Sequence, residues 1–163
     1  MKLTTIISAL ATILALTFAA PATANTYVVP FDHSGGGDPE WFAAHIARLD
    51  AQGASIEIRT RFCMSSCTLY LTAKKACVAD YTTLGYHGPS NWAVAITGIN
   101  ALNTRDAKRQ EQIRNWGYLY AKASQSMADW FVESAGQKAG AFTADVKGQA
   151  AHDAWGIRLC EEK

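Results

Sequence analysis

The sequence has no repeat, no low-complexity linker and no run of like charge. Lysine and arginine number 15 against 14 acidic residues, for a formal net charge of +1. That leaves neither the basic patch a nucleic-acid backbone requires nor an acidic tail. Nucleotide-binding loops are missing as well. No Lys with Ser or Thr follows a glycine turn in Walker fashion, and there is no G-x-G-x-x-G. Beyond the first twenty residues no apolar run is long enough to span a bilayer. Cysteines are few, four in 163 residues, and their spacing lacks the paired short knuckles of structural zinc sites. Neither a metal nor a cofactor is expected.

One long apolar run is present, from Leu3 to about Ala20. It follows Met1-Lys2 and precedes Pro21-Ala22-Thr23-Ala24, a small-x-small cleavage site. This pattern predicts a secretory signal peptide over residues 1–24, cut after Ala24, and a periplasmic or secreted product. No stable membrane span is expected after cleavage. Residues 25–163 then form one domain large enough for a core. In an oxidising compartment Cys63, Cys67, Cys77 and Cys160 are candidates for two disulfides, with three connectivities open. Such pairing argues against a cysteine nucleophile.

The exported chain predicts alternating strands and helices. Thr26-Tyr27-Val28-Val29-Pro30-Phe31 reads as a strand running into His33-Ser34-Gly35-Gly36-Gly37. Asp38 caps a helix and Pro39 takes its first position. Phe42, Ile46 and Leu49 share one face of that helix, and Gly53 ends it. Ile56 to Phe62 alternates like a half-buried strand. Cys63-Met64-Ser65-Ser66-Cys67 follows as a turn into a helix that ends near Lys74-Lys75. The resulting βαβα order implies a parallel sheet with right-handed crossovers. Further on, Cys77-Val78-Ala79 and Leu84-Gly85-Tyr86 are short strands, and residues 88–100 read as a loop or lid. Helical spacing runs from about Asn103 to Ser134, with Gly117 as a dividing point. A short helix near Gln149–Trp155 and a terminal strand at Ile157–Leu159 close the chain.

Parallel α/β sheets place function at the carboxyl ends of their strands. Three features fall there: the glycine turn, Ser65, and His87 after Leu84-Gly85-Tyr86. An acyl-transfer serine needs a base, a partner to orient that base, and two N–H donors for the oxyanion. Ser65 is the candidate nucleophile, although serine is equally the ordinary helix N-cap. His87 is the candidate base, although a His before Gly-Pro is often only a turn residue. The N–H groups of Gly36 or Gly37 and of Ser66 are candidates for the oxyanion hole. Asp145 is the candidate orienting acid, with Asp129, Glu133 and Asp153 as rivals and a Ser-His dyad as a further option. His33 lines the site or faces solvent; His45 and His152 read as structural or exposed.

The order glycine turn, Ser, His, late acid resembles the Clp protease proteolytic subunit and its crotonase-superfamily relatives, in the small exported branch without an ATPase partner. His33-Ser34-Gly35-Gly36-Gly37 before a helix is similar to that family's Asn-Ser-Pro-Gly-Gly turn. Ser65-Ser66-Cys67-Thr68-Leu69-Tyr70-Leu71 resembles its nucleophile helix, more closely in the Cys-x-Ser-Ala-Cys form of exported relatives. Leu84-Gly85-Tyr86-His87-Gly88-Pro89 matches the strand that ends in the catalytic His. Ala154-Trp155-Gly156-Ile157 is similar to a late Tyr-Gly-Leu segment, and the family's Asp, about a dozen residues before that Gly, falls at Asp145 within one position. Two departures stand out: His-Ser-Gly replaces Asn-Ser-Pro, and the N-terminal portion is short. The resemblance spans about Tyr27 to Leu159. It implies an α/β fold, a Clp protease/crotonase-like spiral of ββα units with a mostly parallel sheet. It also implies a Ser-His-Asp serine hydrolase of the peptidase kind, acting on a peptide or small acyl substrate.

Two further readings compete. One is a non-catalytic binding or assembly module on the same fold, with Trp92, Trp116 and Trp130 joining subunits in a homo-oligomer. The other is an acyl-thioester enzyme, disfavoured because coenzyme A is scarce outside the cytosol and no basic cluster awaits its phosphates.

Overall fold

A computed structural model describes residues 25–89, 107–138 and 143–162. The signal-peptide expectation, Trp92 and most of the 88–100 stretch fall outside those residues.

The chain is α/β. Among the described residues two three-stranded sheets carry it. The first is all parallel, in the order β1 (Thr26–Val28), β2 (Ser55–Ile58), β4 (Ala76–Val78). The second is β3 (Phe62–Met64), β5 (Thr83–Tyr86), β6 (Ala144–Lys147), with β3 parallel and β6 antiparallel to β5. Leu159 adds a single parallel bridge to Val78 where a terminal strand is expected from sequence.

Helix α1 (Pro39–Ala51) starts as its sequence demands. Asp38 is the N-cap, its carboxylate accepting the Glu40 N–H at 2.9 Å, and Pro39 opens the first turn. Phe42, Ile46 and Leu49 are buried on one face, and Gly53 takes a positive φ after the helix. Helix α2 (Ala107–Tyr120) and helix α3 (Gln125–Glu133) form an antiparallel pair, and α4 (Gly148–Trp155) ends at Gly156 in the left-handed conformation. The break between α2 and α3 falls at residues 121–124, not at Gly117. Gly117 lies inside α2, and its missing side chain lets α3 approach, since a Cβ there would sit 2.5 Å from Val132 Cγ2.

The single strand expected over Ile56–Phe62 is two strands in different sheets. The corner lies at Arg59-Thr60-Arg61, beside a second corner at residues 79–82. Thr82 is fully buried between them, its hydroxyl donating to Thr60 O at 2.8 Å. The Ala79 N–H donates to Ile58 O and the Thr83 N–H to Arg61 O, both at 2.9 Å, so the two chains turn together. Ile56, Ile58 and Phe62 keep an even spacing across the corner and so mask it, although Arg59-Thr60-Arg61 is polar throughout and the buried position shifts from Ile58 to Cys63, leaving Phe62 exposed.

Disulfides join Cys63 to Cys67 and Cys77 to Cys160. Among the described residues no helix is long and apolar enough to cross a membrane. The paired cysteines fit an exported protein.

Candidate active site

Ser65 opens an eight-residue 3-10 helix, Ser65–Thr72, directly after β3. We call this the serine helix. Ser65 has φ +55°, the one non-glycine residue in the left-handed region among those described. An L-residue with a Cβ adopts that conformation at a cost of roughly 1–3 kcal/mol, so surrounding contacts must hold it.

Those contacts are visible. The Cys63–Cys67 disulfide closes the turn, with both half-cystines fully buried. Thr68 Oγ1 donates to Ser65 O at 2.7 Å, which leaves the Tyr120 hydroxyl to donate to Thr68 Oγ1, also at 2.7 Å. Burial raises the Tyr120 pKa, with the Thr68 hydrogen bond opposing, so the phenol stays a donor. From the other side the glycine turn presses in. Met64 N–H donates to Ser34 O at 2.8 Å. A Cβ on Gly36 would lie 2.7 Å from both Met64 O and Ser65 Cβ, and Gly36 has φ +80°. Only glycine fits there.

The two adjacent serines differ. Ser66 is 1% exposed, and its hydroxyl donates to Gly37 O at 2.8 Å. It staples the glycine turn to the serine helix. Ser65 Oγ makes no hydrogen bond among the described residues, and Ser65 lines a cavity of about 570 Å³. Gly37, Ser66 and His87 line the same cavity, which α1 walls through Glu40 and Ala43 and α2 through Trp116 and Leu119. Gly36 N–H is committed to His33 O at 3.1 Å. Of the two glycine candidates for the oxyanion hole, Gly37 is therefore the one facing the space. The Ser66 N–H belongs to the first helical turn, where intrahelical acceptors are lacking.

His87 follows β5. Its Nδ1 lies 2.7 Å from Gly88 O. A carbonyl only accepts, so Nδ1 carries the proton and the Nε2 lone pair is free in the neutral ring. No hydrogen bond links His87 to Ser65 among the described residues; they share the cavity. Asp145 lies on β6, opposite Gly85, and is exposed. Its Oδ1 accepts from Thr143 Oγ1 at 2.6 Å, and a Cβ on Gly85 would be 3.3 Å from it. The carboxylate thus sits over Gly85, two residues short of His87, while the imidazole Nδ1 is taken by Gly88 O. The rival acids lie elsewhere: Asp129 accepts from Gln125 on α3 and Asp153 from Gln149 on α4, both exposed, and Glu133 is exposed on α3.

The remaining histidines sit apart from the cavity lining. His33 Nδ1 is 3.0 Å from both the Tyr27 and Tyr70 hydroxyls. His45 stacks on Trp41, and its pKa is lowered by burial first, then by Arg48 and His33. His152 Nδ1 donates to Ile157 O at the end of α4. Trp116 stacks on Phe131, and Trp130 packs against Tyr86 and Trp155, so both tryptophans are partly buried in the domain's own core.

Sequence reasoning missed the Gly88 carbonyl and the Tyr120–Thr68 pair. The first is a backbone atom, and the second joins residues 52 positions apart, so no motif marks either. No protein-family model and no curated protein matches the chain.

Proposed function

We propose that the protein is a serine hydrolase in which Ser65 is the nucleophile and His87 the general base. The observation that carries this is Ser65 held at positive φ on a strand-to-helix turn. It faces a cavity shared with an imidazole whose Nε2 is free. In the reaction, Ser65 Oγ attacks an acyl carbon and its proton passes to His87 Nε2. The oxyanion forms toward the N–H groups of Gly37 and Ser66. Collapse expels the leaving group with the proton from His87, and water, activated by the same nitrogen, frees the acyl-enzyme. Asp145 enters as the orienting acid only if it displaces or supplements Gly88 O.

The finer fold and localisation are proposals of the same kind. β2–β3–serine helix and β4–β5–α2 each run strand, strand, helix, with the first strand in one sheet and the second in the other. That repetition supports a spiral of ββα units. The disulfides support export with a cleaved leader. A peptide substrate is favoured over a small ester by the shape of the site. Helices α1 and α2 both pack on the serine helix and leave a trough between them. A smaller cavity of about 100 Å³ shares Ala43 and Leu119 with the first and reaches Asp50 and Lys122. Along α1, Glu40 to Asp50 spans about 15 Å at the rise of an α-helix. An extended peptide of about four or five residues covers that length.

The binding-module reading draws on the absence of a Ser65–His87 hydrogen bond, a contact that tightens in many enzymes only with substrate bound. Fluorophosphonate labelling of residues 25–163 decides between them. A Ser65 adduct, lost in Ser65→Ala and His87→Ala, is expected. No adduct on folded wild-type protein would overturn the hydrolase reading in favour of the binding module.

A further inference from the structure

We propose that Arg109 is a positioning residue for His87, acting through Gly88; this rests on the reading of His87 as the base. Arg109 lies in the first turn of α2 and is 1% exposed. Its Nη2 faces three successive carbonyls, Gly136, Gln137 and Lys138, each at 3.2 Å. Lys138 O also accepts the Gly88 N–H, at 2.8 Å. Gly88 is pressed onto the same strip, since a Cβ there would stand 1.8 Å from Gly136 O and 3.1 Å from Arg109 Nη2. The next polar group along the chain, Gly88 O, is the acceptor that holds His87 Nδ1. So a buried guanidinium gathers the carbonyl strip, the strip fixes Gly88, and Gly88 fixes the imidazole tautomer. That is the task an aspartate performs in a Ser-His-Asp triad.

Stability alone gives Arg109 little reason to be arginine. No carboxylate pairs with it among the described residues, and its Nε and Nη1 have no hydrogen-bond partner. Burial lowers its pKa, as expected of a cation removed from water. An apolar side chain of similar volume commonly costs no more in such a place. What methionine cannot supply is a planar donor aimed at consecutive carbonyls, and lysine supplies only a point charge.

The test uses Arg109→Met and Arg109→Lys in the 25–163 protein, with folding checked by thermal unfolding. Nitrogen NMR of the His87 imidazole reads the tautomer, and fluorophosphonate kinetics read Ser65. Wild type is expected to carry the proton on Nδ1. Arg109→Met is expected to become a tautomer mixture and to label more slowly by roughly tenfold or more, within the range general-base catalysis commands. Arg109→Lys should fall between. A wild-type ring protonated on Nε2, or an Arg109→Met protein with wild-type tautomer, would overturn the proposal. Should Arg109→Met not fold, Arg109→Gln takes its place, and the same outcomes decide. If wild type takes no label, the hydrolase reading fails, while the tautomer still decides the role of Arg109.

Discussion

Cys63–Cys67 bridges residues 4 positions apart across the serine turn, whereas Cys77–Cys160 bridges residues 83 apart and ties the C-terminal segment to β4. On a chain-entropy account the long loop is worth about 4.6 kcal/mol and the short one about 2 kcal/mol. The weaker staple encloses the strained serine; the stronger one lies beside a different cavity, lined by Cys77, Cys160 and Glu57. One end of the molecule therefore spends its cross-link on local geometry and the other on global stability. The same division shows in the glycines. Gly36 is forced by a 2.7 Å approach to the serine turn, while Gly148 is forced by Ala79 O, 2.1 Å from its would-be Cβ, where α4 docks on the strand corner.

The largest effect tests the stability end. Cys77→Ser with Cys160→Ser should lose about 4 kcal/mol in chemical denaturation. The folded fraction should keep its labelling rate within roughly twofold, since neither residue lines the cavity. A labelling loss in step with stability would erase the contrast. Cys63→Ser with Cys67→Ser should do the reverse. It should cost about 2 kcal/mol, yet slow labelling by roughly tenfold or more as Ser65 relaxes from positive φ. Unchanged labelling would mean that Gly36, Thr68 and Tyr120 hold the turn without the disulfide.

How much of this division the sequence carries follows from the kind of signal each part leaves. The cap Asp38-Pro39, the face of Phe42, Ile46 and Leu49, and the positive-φ Gly53 and Gly156 are local, and each lies where the sequence places it. Ser65 and His87 are also local features at strand ends, whereas β1 stops at Val28 and a 3-10 turn, Phe31–His33, separates it from the glycines; the fold still brings Gly37, Ser65 and His87 to one cavity. What is set over long range left no trace. The corner at residues 59–61 depends on Thr82. β6 pairs with β5 across some sixty residues, although Ala144–Lys147 carries no run of β-branched or aromatic residues. The helix after Ser65 ends at Thr72 rather than at Lys74-Lys75, because basic residues mark a favourable helix end without enforcing one.

A smaller effect marks how far the serine end extends. Asp145 lies over Gly85, but the imidazole proton is held by Gly88 O. Asp145→Asn should therefore change the labelling rate by less than roughly threefold, against the roughly 10⁴-fold loss when a triad aspartate is replaced. A drop of two orders of magnitude would mean that the carboxylate swings onto His87 in the reacting state and would return the orienting role to it.

The smallest effect lies behind the glycine turn, where His45 meets His33, Arg48, Tyr27, Tyr70 and Trp41. Burial, then Arg48, then His33 hold its pKa below the usual 6.5. A lowered histidine pKa means that the unfolded chain binds the proton more readily. The stability this neutral ring contributes is thus present above pH 6.5, declines as the pH falls through that value, and is fully lost below the folded pKa. His45→Gln should flatten the fall in melting temperature between roughly pH 7.5 and pH 5.5, the window in which histidine titrates. Because His45 lies outside the cavity lining, the variant should leave Ser65 labelling at neutral pH unchanged. An equal fall in melting temperature in both proteins would place the acid sensitivity elsewhere. A change in labelling would show that the His33–Tyr27–Tyr70 cluster transmits through the glycine turn to Ser65, and the boundary between the two ends would have to be redrawn around it.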